Sequence, residues 1–141
     1  MTIEIKINKK SKDVLISLSE QTKLNRRGLE RALHEIGKDV VDETRKLIIN
    51  GPKTGRVYGN HQASAPGEAP ANKTGRLAAS GDYKVRNWQE MTVGETAFYA
   101  KFLEDGTRKM KPRPHLIKAV SNMARNAQLA ILENIQAEIN R

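Results

Sequence analysis

Cysteine is absent from the 141 residues of this chain. That excludes disulfide staples and thiolate zinc sites, so packing alone must hold the fold. Aromatic residues are only 4% of the sequence, so leucine, isoleucine, valine and alanine must fill most of the core. No apolar run approaches the roughly 18 residues of a membrane-spanning helix. The opening MTIEIKINKK lacks the long apolar segment of a secretory signal. The expectation is a protein that stays where it is made and acts in solution or in an assembly. The length fits one domain, residues 1–141.

Negative charge is also scarce. Sixteen Asp and Glu face 25 Lys and Arg, a net charge of +9. Such an excess favours anionic surroundings: nucleic acid, acidic protein surfaces or anionic lipid.

What is present reads as an α+β domain. Residues 3–7, IEIKI, alternate isoleucine with charge, the period of a half-buried edge strand. From Ser11 to about Asn50 the pattern is helical, and the part before Leu24 reads as a separable shorter helix. Leu29, Leu33, Ile36, Val40 and Leu47 share one face, Asn25 is a candidate N-cap, and Asn50-Gly51-Pro52 ends the helix. Gly37 is expected where another element packs closely. Residues 50–76 hold five glycines, three prolines and few large apolar side chains, so they predict a long Pro/Gly-rich loop or flexible arm, extended through ASAPGEAPA. KTGR occurs there twice, at 53–56 and 73–76, each copy placing cations around a glycine turn.

DYKVRN and EMTVGETAFY then read as a β-hairpin turning near Asn87-Trp88-Gln89, with Met91, Val93 and Glu95 on one face. A short helix from about Phe98 to Glu104 follows. The last element is a long C-terminal helix from Pro114 to Asn140. Its stripe is expected to be Ile117, Val120, Ala124, Ala127, Ile131, Ile135 and Ile139, widened by Leu116, Met123 and Leu132. Pro114 is placed in its first turn.

The patterns of catalysis are missing. His34, His61 and His115 lack metal-site spacing; His34 reads as a helix-surface residue and His115 as a packing or cap residue. Glu35, Asp39 and Asp42 could share a helix face and hold magnesium, but Arg31, Lys38, Arg45 and Lys46 alternate with them at ion-pair spacing. No nucleophile elbow or phosphate loop is present. The reading is therefore no enzyme: no catalytic residue, no metal and no cofactor.

Two basic irregular segments remain. The first carries Lys53, Arg56, Lys73 and Arg76. The second, 106–118, carries Arg108, Lys109, Lys111, Arg113 and Lys118 with no acid among them. Cations set among glycine and proline can meet phosphate or carboxylate without disturbing helix packing. These are the candidate contacts to other subunits, partners or DNA.

YAKFLEDGTRKMKPRPHLIKAV resembles the signature of the neck proteins of long-tailed bacteriophages, the tail-completion or head–tail joining family. The residues that carry it are Tyr99-Ala100, Glu104, Gly106-Thr107, Arg108-Lys109-Met110 and Arg113-Pro114. SAPGEAPANKTGRL adds the Pro-rich stretch and Thr-Gly-x-Leu before the hairpin. The resemblance runs from about Leu29 to the C-terminus. It departs at His115-Leu116, where family members usually have Phe-Leu. It implies a virion structural protein, assembled in the bacterial host cytoplasm. Such proteins form a homo-oligomeric ring, commonly of six subunits, around the DNA channel between the head connector and the tail terminator or tube.

On that reading Tyr99, Phe102 and Leu103 bury against the hairpin and C-terminal helix. Gly106 turns the chain, and Thr107 and Pro114 frame the basic run. Glu104 pairs with a cation, for which Arg113 is the candidate. The competing reading is a basic nucleic-acid-binding module, with Tyr58 and Trp88 as the aromatics outside the expected core.

Overall fold

A computed structural model describes residues 2–6 and 23–141. The shorter helix expected before Leu24 lies outside these residues. The elements are strand β1 (Thr2–Lys6), helix α1 (Lys23–Asn50), the short strands β2 (Val57–Tyr58) and β3 (His61–Gln62), strands β4 (Gly81–Asn87) and β5 (Glu90–Glu95), helix α2 (Ala100–Asp105) and helix α3 (Leu116–Ile139). The α+β class is as the sequence predicts. β1 is an edge strand, in a fully antiparallel sheet of order β1-β5-β4.

The main core forms where α1 packs against α3 and against β4 and β5. It is built from Leu33, Ile36, Val40, Met91, Val93, Leu116, Ala119 and Ala130. Burying each large aliphatic side chain of this kind contributes about 1.5–3 kcal/mol. The predicted face of α1 is the buried one: Leu29, Leu33, Ile36 and Val40 are buried and Leu47 is half-buried, and Ala32 and Ile48 are buried with them. The helix begins at Lys23, so Asn25 lies inside it and is not its N-cap. Met91, Val93 and Glu95 are all buried, as their period-2 spacing predicts, and Thr92 is buried too because β5 is the central strand.

Gly37 does sit at a close approach. A Cβ there would lie 2.3 Å from Cδ2 of Tyr83, whose ring lies over the helix at that position. Gly37→Ala is expected to force the ring away and cost about 1–3 kcal/mol. Thermal unfolding followed by circular dichroism reads this as a lowered midpoint; an unchanged midpoint would show that the contact is slack.

The face of α3 is the expected one only in part: Leu116 and Ile135 are buried and Val120, Met123, Ala127 and Ile131 pack against the core, as their spacing predicts. Leu116, Ala119, Ala130, Ile135 and Glu138 are buried, whereas Ile117, Ala124, Leu132 and Ile139 are exposed. Polar groups fit the buried side because α1 supplies partners. Arg31 pairs with Glu138, and Asn134 donates to Glu35 at 2.8 Å. The helix also starts two residues after Pro114, which lies outside its first turn.

The aromatic expectation needs a second correction. Tyr99 and Leu103 pack on a separate cluster of Ile48, Leu77, Ala78, Ala97 and Ala100, away from the hairpin and α3. Ala100 and Glu104 form the buried side of α2, which leaves Phe102 53% exposed on the other. Trp88 packs against Leu29 and Ile135, with the guanidinium of Arg26 over its ring. It is therefore no free stacking platform.

Candidate functional site

The site is the region where the two basic segments meet above the start of α3. Its foundation is Glu104. One oxygen, Oε2, accepts from the backbone N–H groups of His115 and Leu116 at 2.9 and 3.1 Å. The other, Oε1, accepts from Ile117 N–H at 3.0 Å. The first N–H groups of a helix have no partner within it. His115, at the cap position, supplies no side-chain cap. A carboxylate lent by α2 does that work instead, and negative charge is favoured at this end of a helix.

The expected pairing of Glu104 with Arg113 is therefore corrected: its charged partner is His115. Nδ1 of His115 lies 2.9 Å from Glu104 Oε2 and 3.0 Å from the Arg113 carbonyl, while Nε2 lies 2.8 Å from Glu95 Oε2. His115 is fully buried. Burial alone would lower its pKa, but hydrogen bonds to Glu104 and Glu95 outweigh this and raise it to about 10. Burial would likewise raise Glu104, yet the bonds from His115 and the helix N–H groups hold it at about 2. The cluster is thus an imidazolium between two carboxylates. Glu95 is the member that sequence reasoning missed. It stands twenty residues from His115, and a buried strand acid gives no signal of its distant partner.

This brace aims the basic turn. Gly106 has φ +76°, and a Cβ there would come within 2.8 Å of the Met110 carbonyl, so both backbone and space call for glycine. Thr107 and Met110 then exchange backbone hydrogen bonds of 2.7 and 3.3 Å. Arg108 and Lys109 ride exposed on the resulting turn, and Lys111 follows, also exposed.

Segment 50–76 has structure of its own. β2 and β3 pair as a small hairpin, and Glu68 closes its base by accepting from Thr54 N–H, Thr54 Oγ1 and Ala65 N–H at 2.9, 2.6 and 2.8 Å. Those bonds, the Thr54 hydroxyl first, hold the Glu68 carboxyl at about 2. The stretch ASAPGEAPA is not extended throughout: it turns at Gly67, where φ is +84°. The two KTGR copies also differ. Gly75 makes a left-handed turn, with its N–H bonded to Asn72 Oδ1 at 3.0 Å. Gly55 instead continues the hairpin ladder, bonding Ala63.

The two segments are tied to each other. Gly67 N–H donates to the Pro112 carbonyl at 3.0 Å, Lys118 donates to the Gly67 carbonyl, and Arg113 Nε donates to Ser64 Oγ at 2.9 Å. The candidate cations consequently divide into two sets. Arg56, Lys73, Arg76, Arg108, Lys109 and Lys111 face solvent. Lys53 turns back onto the end of α1, donating to the Gly51 and Leu47 carbonyls at 2.9 and 3.3 Å. Burial lowers its pKa, partly offset by Glu68. Arg113 is half-buried between the segments.

Among the described residues, no group of three or more His, Asp or Glu side chains is placed to hold a metal ion. In the magnesium candidate, Glu35 takes Asn134 and Asp42 lies 3.7 Å from Arg45. No helix among the described residues is long and apolar enough to cross a membrane. No family model, curated protein or solved structure matches the chain.

Proposed function

We propose that this chain is a non-enzymatic structural protein of a bacteriophage neck. It joins head to tail as a ring, of six copies on the family pattern, around the channel through which DNA passes. The observation that carries the reading is the joining of the two cationic segments. They are hydrogen-bonded to each other, the second is braced by Glu104 and His115, and six of their cations remain exposed. Exposed cations of this kind suit non-specific contact with a phosphate backbone and with acidic neighbours in the ring stack. Phe98, 76% exposed, and Phe102 add apolar surface beside it, as a subunit or partner contact requires.

The test is complementation of a phage lacking this chain. In the variant, Arg56, Lys73, Arg76, Arg108, Lys109 and Lys111 are all changed to glutamine. Exposed positions of this kind change stability by less than about 0.5 kcal/mol each, so the variant is expected to fold. It should fail to yield infective particles with joined heads and tails. Normal titres from the variant would refute the reading. Steeply salt-dependent, micromolar binding of DNA by a chain that never joins a particle would favour the nucleic-acid-binding module instead.

A further inference from the structure

A cavity of about 360 Å³ opens between the two basic segments. Its floor is apolar, made by Leu77, Tyr99, Leu103 and Met110, and Lys73 and Arg113 stand on its wall. Arg113 is the telling residue. A guanidinium has five N–H donors and is always charged. Three donors go to neutral oxygens: Nε to Ser64 Oγ at 2.9 Å, Nη2 to the Ser64 carbonyl at 3.3 Å and Nη1 to the Lys111 carbonyl at 3.4 Å. Two donors remain. Among the described residues no carboxylate pairs with it. Glu68, the one acid of segment 50–76, is occupied by Thr54 and Ala65. A half-buried cation with free donors and no counter-charge stabilises an incoming anion more than an exposed cation does.

We infer that this cavity is a docking pocket for an acidic peptide segment of a partner protein. A carboxylate of the segment pairs with Arg113, with Lys73 at the rim, and a neighbouring large apolar side chain of the same segment rests on the Leu77–Tyr99–Leu103–Met110 floor. The apolar floor decides between peptide and nucleic acid. A phosphate backbone needs only exposed cations, whereas an apolar-floored recess with one half-buried cation fits a side-chain pair of mixed character. The inference deepens the neck reading by naming where a partner enters, and rests on that reading only for the partner's identity. Ring formation and peptide binding are measured separately, so either can fail alone.

The experiment selects a random heptapeptide display library on the immobilised full chain, then measures a labelled consensus peptide by fluorescence anisotropy. The expected consensus sets Asp or Glu beside a large apolar residue. Arg113→Gln should weaken binding about tenfold or more. Because Arg113 also ties the segments together, Ala71→Trp provides a second test: it fills the cavity, which Ala71 also lines, and leaves Arg113 in place. It should abolish binding. Lys84→Gln and Arg125→Gln, which remove exposed charge elsewhere, should leave affinity within about twofold. The inference is overturned by a selection without an acidic–apolar consensus, by binding that survives Ala71→Trp, or by equal losses from the remote cations. It is also overturned if Ala71→Trp blocks a mixed-sequence single-stranded oligonucleotide while peptide binding is unaffected.

Discussion

Glu104→Ala is expected to lower the unfolding free energy by about 3–5 kcal/mol, the usual range when one partner of a buried charged pair is removed. The losses arise together. Three helix N–H groups at the start of α3 lose their acceptor, and the imidazolium of His115 keeps only Glu95. A domain of this size is stable by about 5–15 kcal/mol, so the change removes a large share of that margin. Glu104→Gln retains one good acceptor oxygen and should fall between. Urea unfolding near pH 6 checks both. A midpoint for Glu104→Ala equal to the parent's would mean that the carboxylate braces nothing. The turn bearing Arg108 and Lys109 hangs from this point, so the same variant should also fail to assemble.

His115→Phe tests the other side of the cluster. Alone, it leaves Glu95 buried with no cation and should cost about 3–5 kcal/mol. Glu104 tolerates the change better, because three N–H groups still hold its charge. Adding Glu95→Val removes the stranded acid, and the double variant is expected to recover most of the loss, since apolar replacement of a buried ion pair is often neutral or stabilising. A double-mutant cycle measures the coupling directly; simple additivity would show that Glu95 and His115 do not depend on each other.

The pH dependence has a definite sign. His115 is raised from 6.5 to about 10 on folding, so its contribution is full below pH 6.5 and is lost as pH rises toward 10. Glu104 is lowered from 4.5 to about 2, so its contribution is full above pH 4.5 and is lost as pH falls toward 2. For this cluster stability should plateau between about 4.5 and 6.5, and the double variant should lack the alkaline decline due to His115.

Much of the scaffold was legible because one physical signal dominated it. The face of α1 follows from aliphatic spacing, and the β4–β5 hairpin from period-2 alternation. The face of α3 is legible only in part, because that helix carries two apolar stripes. Ile117, Leu132 and Ile139 look like core, while Asn134 and Glu138 do not, until α1 brings Glu35 and Arg31 to meet them. The site was less legible still. Glu104 sits nine residues before a plausible cation, Arg113, but its real partners are mostly backbone N–H groups, which no side-chain pattern announces. Segment 50–76 is poor in apolar residues and so reads as a loose arm, because hydrogen bonds such as those of Glu68 leave no trace in hydropathy.

The most direct measurement is an electron cryo-microscopy reconstruction of the neck of a virion carrying this chain. The account predicts a closed ring of copies between connector and tail. The joined segments, with Arg56, Lys73, Arg76, Arg108, Lys109 and Lys111, should lie at subunit edges or along the channel wall. A neck complete without this chain, or a ring in which those cations face only outer solvent, would contradict it.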